Sequence, residues 1–195
     1  RDLHALQHSF PTRRSSDLPD DDAVADQYQF TMDYLRAHGY DHYEISSFSL
    51  PGHRAQHNQL YWEHANYLGF GPSAHAFWWR SLPSPLAVRW SNIRNLRRYE
   101  TLIQQGQTPV DFREPLSHDL LADEYIMLRL RTAEGLDLDV LEETYGVDLL
   151  IERVDVLAML ESEDYIEPIR NSRVCLTDKG KRICDAVTSQ LMLDA

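Results

Sequence analysis

A chain of 195 residues, 43% hydrophobic and 26% charged, has the make-up of an ordinary soluble globular protein and enough apolar side chain for one or two domains. Its net charge of −12 is uneven: residues 111–167 hold seventeen acids against four arginines (Arg113, Arg129, Arg131, Arg153), whereas residues 76–98 hold five arginines and no acid. The acidic half repels a phosphate backbone and argues against nucleic acid as a partner; no apolar run nears the roughly 20 residues that span a bilayer and no signal-peptide core is present.

Cys175 and Cys184 have no ligand spacing around them, form no zinc or iron–sulfur motif, and read as a reduced pair in a cytoplasmic protein. The arginine cluster (Arg80, Arg89, Arg94, Arg97, Arg98) reads as a solvated face that is also able to receive carboxylates or phosphates.

Residues 1–18 show neither a period of 2 nor one of 3.6 and no initiator Met. They read as a non-native tail of the kind translated from sequencing-adaptor DNA, so the chain is expected to be a fragment of a longer protein. Asp20-Asp21-Asp22 then caps a helix carrying Val24, Tyr28, Met32 and Leu35 on one face and ending at Gly39. Tyr40–Ser46 reads as a short strand, and the helix–strand pair as the tail of a βα-repeat domain.

Residues 47–85 are rich in loop signals and in aromatic side chains, too apolar for a linker, and so either functional or packed on a core. Val88–Trp90 reads as a strand. Ser91 is expected to cap a helix with Ile93, Leu96 and Leu102 on one face and Gly106 at its end.

Further on, Ser117 caps a helix with Leu121, Tyr125 and Leu128 on one stripe, followed by Gly135. A short helix spans about 138–145 and stops at Gly146. A third, about 148–160, is expected to bury Leu150, Val154 and Leu157. Tyr165-Ile166-Glu167 and Val174-Cys175-Leu176 flank a polar turn at Asn171-Ser172 and read as a hairpin. Thr177 caps a last helix with Ile183, Val187 and Leu191 inward. Helices, a hairpin wing and another helix make a winged-helix-like arrangement.

Two stretches carry candidate chemistry. In His57-Asn58-Gln59-Leu60-Tyr61-Trp62 an imidazole able to ligate haem iron sits beside rings able to pack on a porphyrin. If the segment is helical, 57 and 61 share a face, as do 58 and 62. The same spacing also suits core aromatics with His57 and Asn58 bonded to a loop, and His53 and His64 are equally able to coordinate a metal. In Gly69-Phe70-Gly71-Pro72-Ser73-Ala74-His75 the glycines permit close backbone approach to an anionic group, or simply end a strand. Thr177-Asp178-Lys179-Gly180 reads as a structural helix start, and Lys179, Lys181 and Arg182 are too few for a nucleic-acid-reading face.

Tyr43-Glu44-Ile45-Ser46, Pro51-Gly52, His57-Asn58-x-x-Tyr61-Trp62, Tyr67-Leu68-Gly69-Phe70-Gly71-Pro72-x-Ala74-His75 and Arg89-x-x-Asn92 resemble, in order and spacing, the radical S-adenosylmethionine (SAM) family called HemW. Those proteins are haem chaperones related to oxygen-independent coproporphyrinogen III oxidase. Leu128-Arg129-Leu130-Arg131, Gly135-Leu136 and Leu176-Thr177-x-x-Gly180 are similar to that family's C-terminal domain.

The resemblance implies an α/β fold: the C-terminal remnant of a radical-SAM partial (β/α) barrel over 19–110 and a helical, winged-helix-like HemN-type domain over 111–195. It implies haem binding through His57, Asn58, Tyr61 and Trp62, with Gly69, Gly71 and His75 lining a pocket, and delivery of haem to an acceptor protein. His57 would contact iron or a propionate, Tyr61 and Trp62 the macrocycle, and Asn58 would orient the loop. A [4Fe–4S] cluster on a Cys-x3-Cys-x2-Cys loop and SAM at its open iron are implied for the longer protein. That loop is absent here, so no catalytic residue or metal ligand is assigned. The enzymatic alternative, oxidative decarboxylation of coproporphyrinogen III, uses the same fold and cofactors.

Overall fold

The computed structural model describes residues 20–80 and 87–193. The adaptor-like tail and the prolines at 83 and 85 lie outside the described residues. Helix α1, Asp21–Ala37, begins where expected: the Asp20 carboxylate accepts from the Ala23 amide at 2.7 Å, and Asp21 and Asp22 face the positive end of the helix dipole. Met32 is the residue it buries. Strand β1, Asp41–Glu44, follows and pairs antiparallel with β2, Ser47–Ser49.

The end of β1 also reaches forward in sequence: the Ile45 amide donates to the Arg131 carbonyl at 3.0 Å and the Ala133 amide to the Tyr43 carbonyl at 3.1 Å. The N-terminal third is thereby stitched to the C-terminal part by backbone hydrogen bonds. The side chains repeat the join, because buried Glu44 faces Arg131 at 3.4 Å and Arg36 holds Asp178 at 2.7 Å.

The stretch expected to be loop-rich contains more regular structure than its composition suggests. Helix α2 spans Gln56–Trp62 and strand β3 His75–Trp79. β3 is the edge of an antiparallel three-stranded sheet with β4, Ala87–Asn92, and β5, Val110–Leu116, in the order β3-β4-β5. Phe77 pairs with Arg89, and Arg89 with Glu114. Strand β5 went unread because Asp111, Arg113, Glu114 and Pro115 break the apolar alternation on an edge that faces solvent.

Helix α3 spans Leu96–Gln104, and its cap is Asn95, whose side chain accepts from the Arg98 amide at 3.0 Å. The expected cap, Ser91, lies inside β4, and Ile93 is buried ahead of the helix. The competing signal was a hydroxyl four residues too early, in a segment whose pairing to β5 overrides it.

Ser117 caps α4, His118–Leu130, as expected, through a 3.3 Å bond to the Leu120 amide. Strand β6, Leu136–Asp137, leads into α5, Leu138–Tyr145, which stops at Gly146. The expected single helix over 148–160 is two, α6 at Leu149–Glu152 and α7 at Val154–Ser162, divided at Arg153. The break rotates the apolar stripe, so Leu149, Leu157 and Leu160 are buried while Leu150 is 51% and Val154 55% exposed.

The expected hairpin forms as bridges between Ile166 and Leu176 and between Arg170 and Arg173, with Asn171 and Ser172 at positive φ in the turn. Its second arm also carries β7, Arg173–Val174, which pairs with β6. The last helix is likewise double: α8, Asp178–Arg182, capped by Thr177, and α9, Cys184–Leu191. Ile183 sits at the break, 39% exposed instead of inward, while Val187 and Leu191 are buried.

One continuous apolar core runs from the sheet (Phe77, Ala87, Leu116) through α4 and α5 to α7 and α9. Residue Gly180 shows why Leu176-Thr177-x-x-Gly180 is built as it is. The Thr177 hydroxyl accepts from the Gly180 amide at 3.0 Å, and a Cβ at 180 would collide with the Tyr165 carbonyl. Among the described residues no helix is long and apolar enough to cross a membrane.

Candidate functional site

Helix α2 has too few residues to be stable alone. Its first turn has no side-chain cap and it buries no residue completely, so contacts at its C-terminal end hold it. The Trp62 ring lies over the Arg131 guanidinium at 5.8 Å, and Arg129 donates to the Trp62 carbonyl at 3.4 Å. The next residue but one, His64, turns the chain with a positive φ of 55° and drops its ring into the interior.

The helix separates the four residues read as one motif. His57 and Tyr61 share a face, rings edge-on at 5.0 Å, and Tyr61 tilts against Tyr67 at 4.6 Å. His57 and Asn58 are exposed, and neither side chain has a hydrogen bond among the described residues. Trp62 points the other way, into a cleft of about 500 Å³ between α2 and the α4–β6–α5 segment. Its indole Nε1 is buried without a hydrogen-bond partner among the described residues.

Rings wall this cleft: Tyr43, Trp62, Trp79, Tyr125 and Tyr145. Tyr125 stacks on Tyr145 at 4.7 Å, and Trp79 meets Tyr145 edge-on at 5.8 Å. Burial pushes the Tyr125 and Tyr145 hydroxyls up, so both stay neutral donors. Three arginines, Arg54, Arg129 and Arg173, and three acids, Glu63, Glu134 and Asp137, line the same space. Arg54 is paired with Glu134 and Arg173 with Asp137 at 2.7 Å. A cleft of this size, with aromatic walls and a few cations, suits a flat apolar ligand carrying acidic groups.

Behind the rings lies a polar cluster. His64 stacks on Phe77 at 4.7 Å, its Nδ1 is 3.0 Å from the Tyr145 hydroxyl, and its Nε2 is 3.4 Å from Glu124 but outside hydrogen-bond geometry. The Trp79 indole donates to the His64 carbonyl at 2.8 Å, and Arg89 closes on the other oxygen of Glu124. Burial alone would raise the Glu124 carboxyl; its contacts with His64 and Arg89 overcome that and hold it below the ordinary carboxylate range. His64 is thus the histidine committed to the interior, and His57 the one at the surface.

The Gly69–His75 loop is not part of the cleft lining. Gly69 packs so tightly on the backbone of His75 that a Cβ would overlap its carbonyl. Asn92 donates to the Gly69 carbonyl at 3.3 Å and the Gly71 carbonyl at 3.0 Å, and the Gly71 amide donates to the Tyr99 hydroxyl at 3.1 Å. This explains Asn92 in Arg89-x-x-Asn92 as the residue that holds the loop, and Arg89 as the partner of Glu124. His75 is exposed on β3.

The cysteines fit no iron–sulfur cluster. Cys175 is half-buried with its Sγ 3.7 Å from the Glu134 carbonyl, Cys184 is buried beside Thr188, and burial raises both thiols. Among the described residues no three His, Cys, Asp or Glu side chains are grouped to hold a metal ion. Two of the cations near the C-terminus are engaged within the chain: Lys179 donates to the Glu163 carbonyl at 2.6 Å and Lys181 to Asp178 at 2.9 Å, while Arg182 is exposed.

Sequence reasoning missed Tyr43, Arg54, Tyr125, Arg129 and Tyr145 as cleft residues. Tyr125 and Arg129, one turn apart on α4, carried a signal in their spacing. The others reach the cleft only through tertiary contacts between positions far apart in the chain.

Residues 116–183 match the model of the HemN C-terminal domain. The chain is 31% identical over 175 residues to heme chaperone HemW of Mycobacterium tuberculosis, covering 89% of this chain and 40% of that protein. It is 28% identical over 178 residues to heme chaperone HemW of Lactococcus lactis, covering 91% and 44%. It therefore spans less than half the length of these relatives. Its fold is similar to that of a solved structure described as coproporphyrinogen III oxidase (HemN) from Escherichia coli, a radical SAM enzyme, with a TM-score of 0.65, 16% identity, and coverage of 93% of this chain and 44% of that one. With its motifs in family order and a HemN-like mixed α/β fold, the chain corresponds to the C-terminal portion of a HemW-type protein.

Proposed function

We propose that this chain is the haem-handling part of a haem chaperone: α2 and the cleft beneath it hold a haem and give it up to a haem-acceptor protein. The relatives named as heme chaperones support the reading, and one observation carries it. Trp62, the last residue of the motif, lines an aromatic-walled cleft, and its buried indole N–H has no hydrogen-bond partner among the described residues. Haem offers a flat apolar face to the rings and two propionates to the arginines.

In this reading Trp62 packs on the macrocycle. His57, exposed and without a hydrogen bond among the described residues, contacts the iron or a propionate; Tyr61 supports the ring edge, and Asn58 orients the helix. The loop with Gly69, Gly71 and His75 adjoins the Tyr61 side through Tyr67. Since His57 and Trp62 lie on different sides of α2, single variants tell which side holds the macrocycle.

We assign the radical SAM chemistry, with its [4Fe–4S] cluster and S-adenosylmethionine, to parts of the longer protein, and the whole to the cytoplasm. Within the fold, α1–β1 is the last unit of a partial (β/α) barrel, and the segment from α4 onward is a winged-helix-like domain with the 165–176 hairpin as its wing. We draw the boundary between the two near residue 116, a choice that the pairing of β5 with β4 supports.

The test is a spectral titration with haemin. The His57→Ala, Trp62→Ala double variant is expected to weaken binding at least about tenfold, equivalent to ~1.4 kcal/mol; unchanged binding discards the assignment. A second reading, binding of coproporphyrinogen III for decarboxylation, is favoured by the HemN-like fold and by three arginines facing a substrate with several carboxylates. Product formation from coproporphyrinogen by the longer protein would establish it.

A further inference from the structure

We propose that Arg129 is the anion anchor of the cleft, the guanidinium that receives a carboxylate carried by the flat ligand. This rests on the haem reading and deepens it, since it assigns a propionate of the haem to a named residue outside the His57–Trp62 motif.

The argument is one of charge accounting. Of the three arginines in the cleft, two are already neutralised. Arg54 is bound to Glu134 and lies over the Tyr43 ring at 5.4 Å. Arg173 is bound to Asp137 at 2.7 Å. Arg129 makes no ion pair among the described residues, and its side-chain hydrogen bond to the Trp62 carbonyl is long, 3.4 Å. A half-buried guanidinium with five N–H donors and one weak acceptor is poorly satisfied.

Its position fits the task. Arg129 stands one turn after Tyr125 on α4, and its contact to Trp62 brings it against the ring that heads the motif. Its charge is felt inside the cavity. Burial pushes the Tyr125 and Tyr145 hydroxyls up, and Arg129 is a cation that opposes this at both; it also adds, after Arg54, to the charge that holds the Glu134 carboxyl down. The planar fork of an arginine matches a carboxylate with two parallel hydrogen bonds, which a lysine cannot reproduce. The first arginine of Leu128-Arg129-Leu130-Arg131 thus has a different task from the second, which is occupied by Glu44 and Asp185.

The experiment compares haemin with haemin dimethyl ester on the full chain and on its Arg129→Gln and Arg129→Lys variants. The unaltered chain is expected to bind haemin about ten- to a hundredfold more tightly than the ester. Arg129→Gln should lose that preference, so that haemin and ester bind it alike, and Arg129→Lys should recover only part of it. Equal affinity of the unaltered chain for acid and ester, a comparison that needs no variant to fold, overturns the proposal. So does equal haemin affinity in the unaltered chain and Arg129→Gln; if Trp62→Ala still weakens haemin in that case, the haem reading survives and only the anchor falls. Absence of haemin binding by the unaltered chain overturns both.

Discussion

The Nδ1 atom of His64 lies 3.0 Å from the hydroxyl of Tyr145, joining residues 81 positions apart. The contact ties the end of α2 to the last turn of α5 and so sets the width of the cleft between them. In Tyr145→Phe the ring remains but a buried imidazole nitrogen loses its partner. The expected loss is about 1–3 kcal/mol, read as a lower urea midpoint at unchanged slope. An unaltered midpoint would mean that the bond contributes nothing to the cleft.

Glu124, wedged between His64 and Arg89, gives the stability a predictable pH dependence. Its carboxyl titrates below the ordinary value of 4.5 in the folded chain. Its contribution is therefore complete above the unfolded value and fades as pH falls through the lower, folded one. Glu124→Gln should destabilise the chain at pH 7, and the gap to the unaltered chain should narrow once pH drops below about 4. Urea unfolding at pH 7 and pH 3.5 measures this; a gap of constant size would contradict it.

Besides Gly135, which has a left-handed φ of its own and faces the Val174 carbonyl, two glycines are set against backbone carbonyls, Gly69 on His75 and Gly180 on Tyr165. Each Gly→Ala change forces the two chains apart, with an expected cost of about 3 kcal/mol. Thermal melts should show both variants far below the unaltered chain. A melt within two or three degrees would show that the loop or the hairpin yields easily.

The start of α3 offers a sharp discrimination between two neighbouring polar residues. Asn95→Ala should cost about 1 kcal/mol through loss of the bond to the Arg98 amide, while Ser91→Ala, within β4, should change little. The reverse order would return the helix start to the position that the sequence pattern suggested.

How much of this was legible in advance follows from the range of the interactions. Caps are local, so Asp20, Ser117 and Thr177 were identified correctly, as was the end of α5 at Gly146. Breaks at Arg153 and Ile183 were not, because an apolar stripe reads on smoothly through a residue that leaves helical geometry. The strands β3 and β5 were missed for a related reason: their partners lie in β4, charges break the alternation of β5, and β3 is a run of three adjacent rings with no polar residue between them.

The site divides in the same way. The helical pairing of His57 with Tyr61 follows from a spacing of four, but the turn of Trp62 toward α4 and α5 depends on residues up to Arg173. His64 differs from His57 in burial and in its left-handed φ of 55°, neither of which the local sequence signals.

The most direct test of the central claim follows the four tryptophan indole N–H signals by NMR during titration with zinc protoporphyrin, a diamagnetic stand-in for haem. A macrocycle in the cleft must shift Trp62 and Trp79 through its ring current and leave Trp78, on the opposite face of β3, nearly unmoved. Saturable binding that moves Trp78 but neither Trp62 nor Trp79 would contradict the account.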